Sequence, residues 1–135
     1  MNNQTAGRHW RAVELDKVLR MLAEETACED AAVLAREITP SSSLEEVRRM
    51  LAETDDAYVM MARFGAPSFG GLKNVTNALR RAEAGGTLNL TELLRIGGVL
   101  RTIRGITQWR SKSEGMKTAL DWRFEGLSPN KYLED

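Results

Sequence analysis

Two helical patterns separated by glycine pairs occupy residues 70–101 and restrict this chain to a fold of packed helices. Apolar residues recur three and four positions apart on both sides of Gly85 and Gly86, which is the spacing of a buried helix face. Glycine enters left-handed backbone geometry without steric cost, so this pair ends one helix before the next begins. No segment alternates apolar and polar residues convincingly over more than three or four positions. The sequence therefore predicts an all-α fold with no required sheet.

The same periodicity predicts a bundle of about five to six helices. The first four are expected over residues 13–25, 29–37, 44–63 and 73–84, and the fifth is expected to follow Asn89. The faces expected to be buried include Val18, Leu22, Leu34, Leu51, Tyr58, Met61, Leu79 and Leu93. Residues Ser43 to Glu46 predict a capping box at the third helix, and Asn89 to Glu92 predict its Asx version at the fifth.

Gly97 and Gly98 lie inside the predicted fifth helix, where each glycine costs about 1 kcal/mol relative to alanine. Either the helix bends at this point or another stretch of backbone passes close to it. We expect close packing.

The chain length of 135 residues suits one domain, with 42% apolar and 28% charged residues as in an ordinary globular protein. We expect a loose N-terminus over residues 1–10, a helical core-domain portion over 11–127 and the start of a truncated helix over 128–135. Ser128 before Pro129 is a good helix start, yet few residues follow it. This pattern favours a natural protein that continues past Asp135 over a frayed C-terminal tail.

The sequence also predicts a cytoplasmic location and no membrane partner. No run approaches the roughly 20 apolar residues that cross a bilayer, and the N-terminus lacks the apolar core of a signal peptide. The single cysteine, Cys28, cannot form an internal disulfide, which agrees with a reducing compartment. Aromatic residues are few, which argues against a stacking platform for bases.

No residue pattern predicts a catalytic, cofactor-binding or metal site. Residues 65–72 have the glycine spacing of a phosphate-binding loop, but Gly71 and Leu72 stand where lysine and serine or threonine are needed. The only histidine, His9, and the only cysteine offer no metal-ligand spacing. Asp55 and Asp56 are adjacent and point differently around a helix, so they are expected to face solvent.

Basic residues concentrate in the second half of the chain. Residues 65–123 hold 10 Lys and Arg against 4 Asp and Glu, whereas residues 1–64 hold 8 against 12. The candidates for phosphate contacts are Arg80, Arg81, Arg101, Arg104, Arg110 and Lys112. Each such contact would add salt-dependent affinity for a polyanion. The alternative is a solvated helix face whose charges pair locally with Glu83 or Glu92.

Short motifs in a fixed order connect this chain to a known family. They are LDKVL at 15–19, LEEV at 44–47, LAETDDA at 51–57, GGL at 70–72, LRRAEAGGTL at 79–88 and ELL at 92–94. In their order and spacing the chain resembles the N-terminal core (lever) region of the second type of bacterial MutS protein, the paralogue that lacks the mismatch-reading domain. The resemblance covers residues 10–110, with a weaker match at 124–129.

The resemblance implies a MutS core-domain-like fold that links to a clamp of long helices, an ABC-type ATPase domain and a C-terminal Smr nuclease domain. Such proteins dimerise, hydrolyse ATP and bind branched or otherwise structured DNA. They are associated with control of homologous recombination and, in some bacteria, with rescue of collided ribosomes. ATP and Mg²⁺ would serve the full-length protein, and residues 1–135 would carry no active site. The alternative is a free-standing helical module that binds a partner through Met50, Met60 and Met61.

Overall fold

The computed structural model describes residues 13–134, which are helical and contain no strand. The helices are α1 (Leu15–Glu24), α2 (Glu29–Arg36), α3 (Leu44–Phe64), α4 (Thr76–Glu83), α5 (Leu90–Ser111), α6 (Asp121–Glu125) and α7 (Lys131–Glu134). The all-α prediction is confirmed, and α1 to α5 correspond to the five predicted helices. The predicted loose N-terminus over residues 1–10, with His9, lies outside the described residues. Two compact units divide the chain, one up to Pro40 and one from Ser41.

The unit up to Pro40 consists of α1 and α2, which pack against each other. Ala23 and Ala35 are buried, and their small side chains allow the close approach of two backbones. The hydroxyl of Thr26 donates to the Ala23 carbonyl at 2.7 Å and closes the turn between the helices. Cys28 precedes α2 as a free, half-buried thiol.

The unit from Ser41 begins with α3, whose start differs from the predicted capping box. The Ser43 hydroxyl accepts from the Glu46 backbone N–H at 3.4 Å, as expected. The Glu46 carboxylate, however, accepts from the Ser41 hydroxyl, whose oxygen in turn accepts from the Ser43 N–H at 3.1 Å. The Ser41 hydroxyl therefore lies between the Glu46 carboxylate and the Ser43 N–H, which would bond directly in a complete capping box. Met60 on this helix is fully buried.

A glycine-rich loop connects α3 to α4 and packs directly on α5. The indole Nε1–H of Trp109 donates to the Gly65 carbonyl at 2.7 Å. A Cβ added at Gly71 would lie 3.0 Å from the Gly98 carbonyl oxygen and would overlap the Thr102 hydroxyl. The expected close packing is therefore confirmed for Gly98, and its neighbour is Gly71.

Helix α5 begins with the predicted Asn89 capping box in full. The Asn89 side chain accepts from the Glu92 N–H at 2.9 Å, and the Glu92 carboxylate accepts from the Asn89 N–H at 2.9 Å. Gly85 after α4 has a φ of 81°, the left-handed geometry that the sequence predicts. α4 itself is shorter than predicted and begins at Thr76. The Thr76 backbone N–H donates to the Asn74 side-chain oxygen at 3.1 Å.

The segment after α5 turns back to α3 through polar contacts. The Asp56 carboxylate accepts from the Ala119 backbone N–H at 2.6 Å, so the expectation that Asp56 faces solvent is wrong. Arg123 at α6 pairs with Glu53 of α3 at 2.7 Å. These contacts join residues more than 60 positions apart in the sequence, and periodicity within one helix gives no sign of them.

The last helix, α7, begins at Lys131 rather than at Pro129. Its capping side chain is that of Asn130, which accepts from the Leu133 N–H at 3.2 Å, whereas Ser128 was expected. α7 contacts α5. That residues 128–135 start a longer helix stays a prediction.

Many predicted buried faces are exposed. Leu51 and Tyr58 on α3 are 64% and 74% exposed. The others that are at least four-tenths exposed include Val18, Leu22, Leu34, Met61, Leu79 and Leu93. Helical periodicity identifies a face that favours burial, but it does not establish that the same chain supplies the covering surface.

Candidate nucleic-acid interface

The six predicted phosphate contacts all lie in the unit from Ser41, on α4 and α5 or just after α5. Three of them pair with a carboxylate, namely Arg81, Arg104 and Arg110. The other three, Arg80, Arg101 and Lys112, are exposed and form no ion pair with any residue between 13 and 134. The six residues therefore do not form one uniform basic surface.

Arg81 connects the end of α4 to the start of α5. Its guanidinium pairs with Glu92, and its Nε–H donates to the Thr87 carbonyl at 3.2 Å. The Arg81 hydrogen bond, followed by the bond from the Asn89 backbone, lowers the pKa of Glu92 below its ordinary value. A Cβ at Gly86 would collide with the Arg81 side chain and carbonyl, so the second glycine makes room for this arginine. The local pairing considered as an alternative is therefore present at Arg81.

Arg110 organises the turn after α5. Its guanidinium donates to the Ser113 hydroxyl at 2.6 Å, to the Met116 carbonyl at 2.9 Å and to Asp121 at 2.8 Å. Hydrogen bonds from the hydroxyl and backbone N–H of Thr118, and then from Arg110, lower the pKa of Asp121. These contacts hold the turn after α5 together, and a phosphate contact by Arg110 stays a prediction.

Arg104 pairs with Glu134 of α7 at 2.9 Å. The Glu134 side chain is only 3% exposed, and its second carboxylate oxygen, Oε1, is buried without a hydrogen-bond partner among the described residues. An unsatisfied buried oxygen is costly, which reduces the net stabilisation that this ion pair provides. Arg104, which the sequence predicts to contact phosphate, is therefore paired with the carboxylate of Glu134.

The sequence does not predict a buried charge cluster at Glu53. This carboxylate is 8% exposed and accepts from Arg49 at 2.8 Å and from Arg123 at 2.7 Å. The hydrogen bond from Arg123 is the main cause that lowers the pKa of Glu53. The four-residue spacing from Arg49 to Glu53 was the available signal, because such pairs share one face of a helix.

Residues 13–134 contain no group of three or more His, Cys, Asp or Glu that could hold a metal ion. The loop at 65–72 does not fit a nucleotide with Mg²⁺, because the helix α3 precedes it where a strand is needed and no lysine ends it. Over the same range, no helix has both the length and the apolar character to span a bilayer.

An open apolar groove of about 460 Å³ lies between α3, the glycine-rich loop and the C-terminal segment. Its walls include Met61, Phe69, Ile103, Trp109 and Phe124. Trp109 and Phe124 are in tilted contact, with ring centroids 6.2 Å apart. Met61 and Phe69 in these walls are among the large apolar side chains of this unit that are exposed.

Comparison with known proteins identifies relatives along the whole chain. Endonuclease MutS2 of Ruminiclostridium cellulolyticum is 42% identical over 94 residues, which are 70% of this chain and 12% of that protein. Endonuclease MutS2 of Agathobacter rectalis is 32% identical over 128 residues, covering 93% of this chain and 16% of that protein. Endonuclease MutS2 of Acetivibrio thermocellus is 32% identical over 139 aligned positions, covering 100% of this chain and 17% of that protein.

No protein-family model matches the chain. The chain spans less than a fifth of the length of the curated relatives described above, and it is consistent with their N-terminal region. These matches confirm the resemblance predicted from the ordered motifs. The chain belongs to the MutS2 family and corresponds to a segment that makes up 12–17% of its relatives' length.

Proposed function

We propose that this chain is the N-terminal core (lever) segment of a MutS2-type protein that processes structured DNA. The observation that carries the proposal is the alignment of 70–100% of the chain with proteins named endonucleases, of which it covers a small part. The full-length protein would be a cytoplasmic homodimer that uses ATP and Mg²⁺, with its active sites outside residues 1–135. Branched DNA in the control of recombination is the proposed substrate, and the stalled ribosome is the alternative.

The helices from α3 onward suit a lever. At a rise of 1.5 Å per residue, α3 with 21 residues is about 31 Å long and α5 with 22 residues is about 33 Å long. The Trp109 hydrogen bond to Gly65 ties α5 to the end of α3, and Arg123 ties the C-terminal segment to Glu53. In the proposed lever, these two contacts would carry a displacement of α5 to the end of α3 and to the C-terminal segment.

The gene provides the first test. Reading the source gene past the codon for Asp135 is expected to reveal a downstream ATPase phosphate-binding loop in the same reading frame. A stop codon soon after Asp135, with no such motif, would refute the proposal.

The lever role has its own test in the full-length protein. Gly71→Ala disrupts the contact between the loop and α5, whereas Gly70→Ala is the matched control because its Cβ would have no neighbour nearer than 4.0 Å. We expect Gly71→Ala to reduce the stimulation of ATP hydrolysis by a four-way DNA junction and to leave the rate without DNA unchanged. Equal stimulation in the two variants would contradict transmission through this contact.

The second candidate, a free-standing interaction module, rests on the apolar groove and on the exposure of Met50 and Met61. Met60, in contrast, is buried and fills the core. A module of this kind predicts a gene that ends near Asp135 and a chain that binds no branched DNA. Binding of a four-way junction that weakens steeply with salt would favour the nucleic-acid role.

A further inference from the structure

We propose that a cleft between the glycine-rich loop and α5 binds a phosphate group, with the charge supplied by Arg101 and a hydroxyl donor by Ser68. The cleft has a volume of about 310 Å³. Residues 66–68 of the loop form one wall, and Arg101, Thr102, Gly105 and Trp109 form the other. The loop whose glycine spacing resembles that of a phosphate-binding loop, and which lacks its own lysine, thus has an arginine beside it.

The charge of this cleft is not neutralised. Arg101 is exposed and pairs with no carboxylate in the part of the chain that the structure describes, and no acidic residue lines the cleft. The cleft around Arg110 differs, because Glu114, Asp121 and Glu125 line it as well. A cleft lined by an arginine and by no carboxylate favours a phosphate, which accepts hydrogen bonds from the arginine fork once the side chain turns towards it.

The donors differ in their availability. The Thr102 hydroxyl donates to the Gly98 carbonyl at 3.0 Å and is already in use. The Ser68 hydroxyl forms no hydrogen bond with any residue from 13 to 134, and it is exposed. Ser68 can therefore donate to a phosphate oxygen without breaking an existing bond.

The loop wall is held in place before any ligand arrives. Trp109 donates to Gly65 at its start, the Leu72 N–H donates to the Phe69 carbonyl at 3.1 Å, and Gly71 lies against Gly98. A site that is already ordered loses little conformational entropy on binding. The contacts on either side of Ser68 therefore lower the entropic cost of binding, compared with a loop that becomes ordered only around its ligand.

The phosphate can belong to a DNA backbone or to a free anion. The DNA source rests on the proposed function, whereas binding of the phosphate group itself depends only on the cleft. In the first case Arg101 adds one backbone contact to the lever, distinct from the paired Arg81, Arg104 and Arg110.

The experiment uses the 135-residue chain labelled with ¹⁵N and titrated separately with inorganic phosphate and with a four-way DNA junction. We expect both ligands to shift the Ser68 amide and the Arg101 Nε resonance. Arg101→Gln should weaken phosphate binding about tenfold, since one charge-assisted hydrogen-bonding group is lost. Arg80→Gln removes an equal charge at an exposed position outside the cleft and should leave phosphate binding unchanged.

Each outcome has a defined meaning. Shifts with both ligands that are lost in Arg101→Gln support the cleft and a DNA source, and shifts with inorganic phosphate alone support the cleft with a free anion. Phosphate binding that is equal in Arg101→Gln and Arg80→Gln, or the absence of shifts around Ser68, overturns the proposal. The titration does not depend on what the gene encodes past Asp135, so its failure is distinguishable from failure of the proposed function.

Discussion

Replacing Gly71 by alanine is expected to destabilise the unit from Ser41 by about 1–3.5 kcal/mol. The new Cβ would lie 3.0 Å from the Gly98 carbonyl oxygen and would overlap the Thr102 hydroxyl, so Thr102 must rotate away. Overpacking of this kind costs about 1–3 kcal/mol, and the lost hydrogen bond to Gly98 adds about 1 kcal/mol. The lower entropy of the unfolded alanine chain returns about 0.4–1 kcal/mol.

Urea denaturation followed by circular dichroism at the helix band measures this cost. With a slope of about 2 kcal/mol per molar urea, the midpoint should fall by roughly 0.5–1.8 M. Thr102→Ala removes the overlapping hydroxyl, so the cost of Gly71→Ala should be at least about 0.5 kcal/mol smaller in that background. Gly70→Ala, whose Cβ would have no neighbour nearer than 4.0 Å, should be neutral or slightly stabilising. An unchanged cost of Gly71→Ala in the Thr102→Ala background would refute the reasoning.

Three further predictions concern the helix cap and the buried charges. Asn89→Ala should cost about 1 kcal/mol in urea denaturation and Ser43→Ala less, because the Ser43 bond is longer, at 3.4 Å against 2.9 Å; equal costs would contradict this ranking. The lowered pKa of Glu53 means that its stabilisation is present above its ordinary value of 4.5 and is lost as pH falls through the lowered pKa. Glu53→Gln should therefore reduce the loss of stability between about pH 5 and pH 2 in acid titrations, and an unaltered pH profile would exclude this role. Glu134→Gln weakens the charge pairing of Arg104 and so frees this arginine for a phosphate. The slope of log K for DNA binding against log salt concentration should then steepen by up to about one unit. An unchanged slope would show that Arg104 contacts no phosphate.

The sequence predicts the local features of this fold well. The Asn89 capping box and the left-handed Gly85 follow from the chemistry of residues a few positions apart. These features depend on backbone hydrogen bonds and steric limits that act over one or two helical turns. The capping box predicted at Ser43 shows the limit of such rules, because Ser41 forms the hydrogen bond with the Glu46 carboxylate that the box assigns to the Ser43 N–H.

The candidate interface is harder to predict, because the pairing of its arginines depends on residues far away in the sequence. The partner of Arg104 is 30 positions later, and Glu53 meets Arg123 across 70 positions. No pattern within a single helix contains that information. The exposure of Leu51 and Tyr58 was missed for a related reason, since their periodicity favours burial but the described residues leave both side chains exposed.

The contact between Gly71 and Gly98 has a mechanical consequence. A side chain between two elements has other rotamers to adopt when the elements shift, whereas a backbone carbonyl has none. Here a carbonyl on α5 faces a loop position without a side chain, and the loop is also fixed at Gly65 by Trp109. A joint of this kind has little compliance. An axial shift of α5 by a fraction of an ångström would therefore move the loop by nearly the same amount.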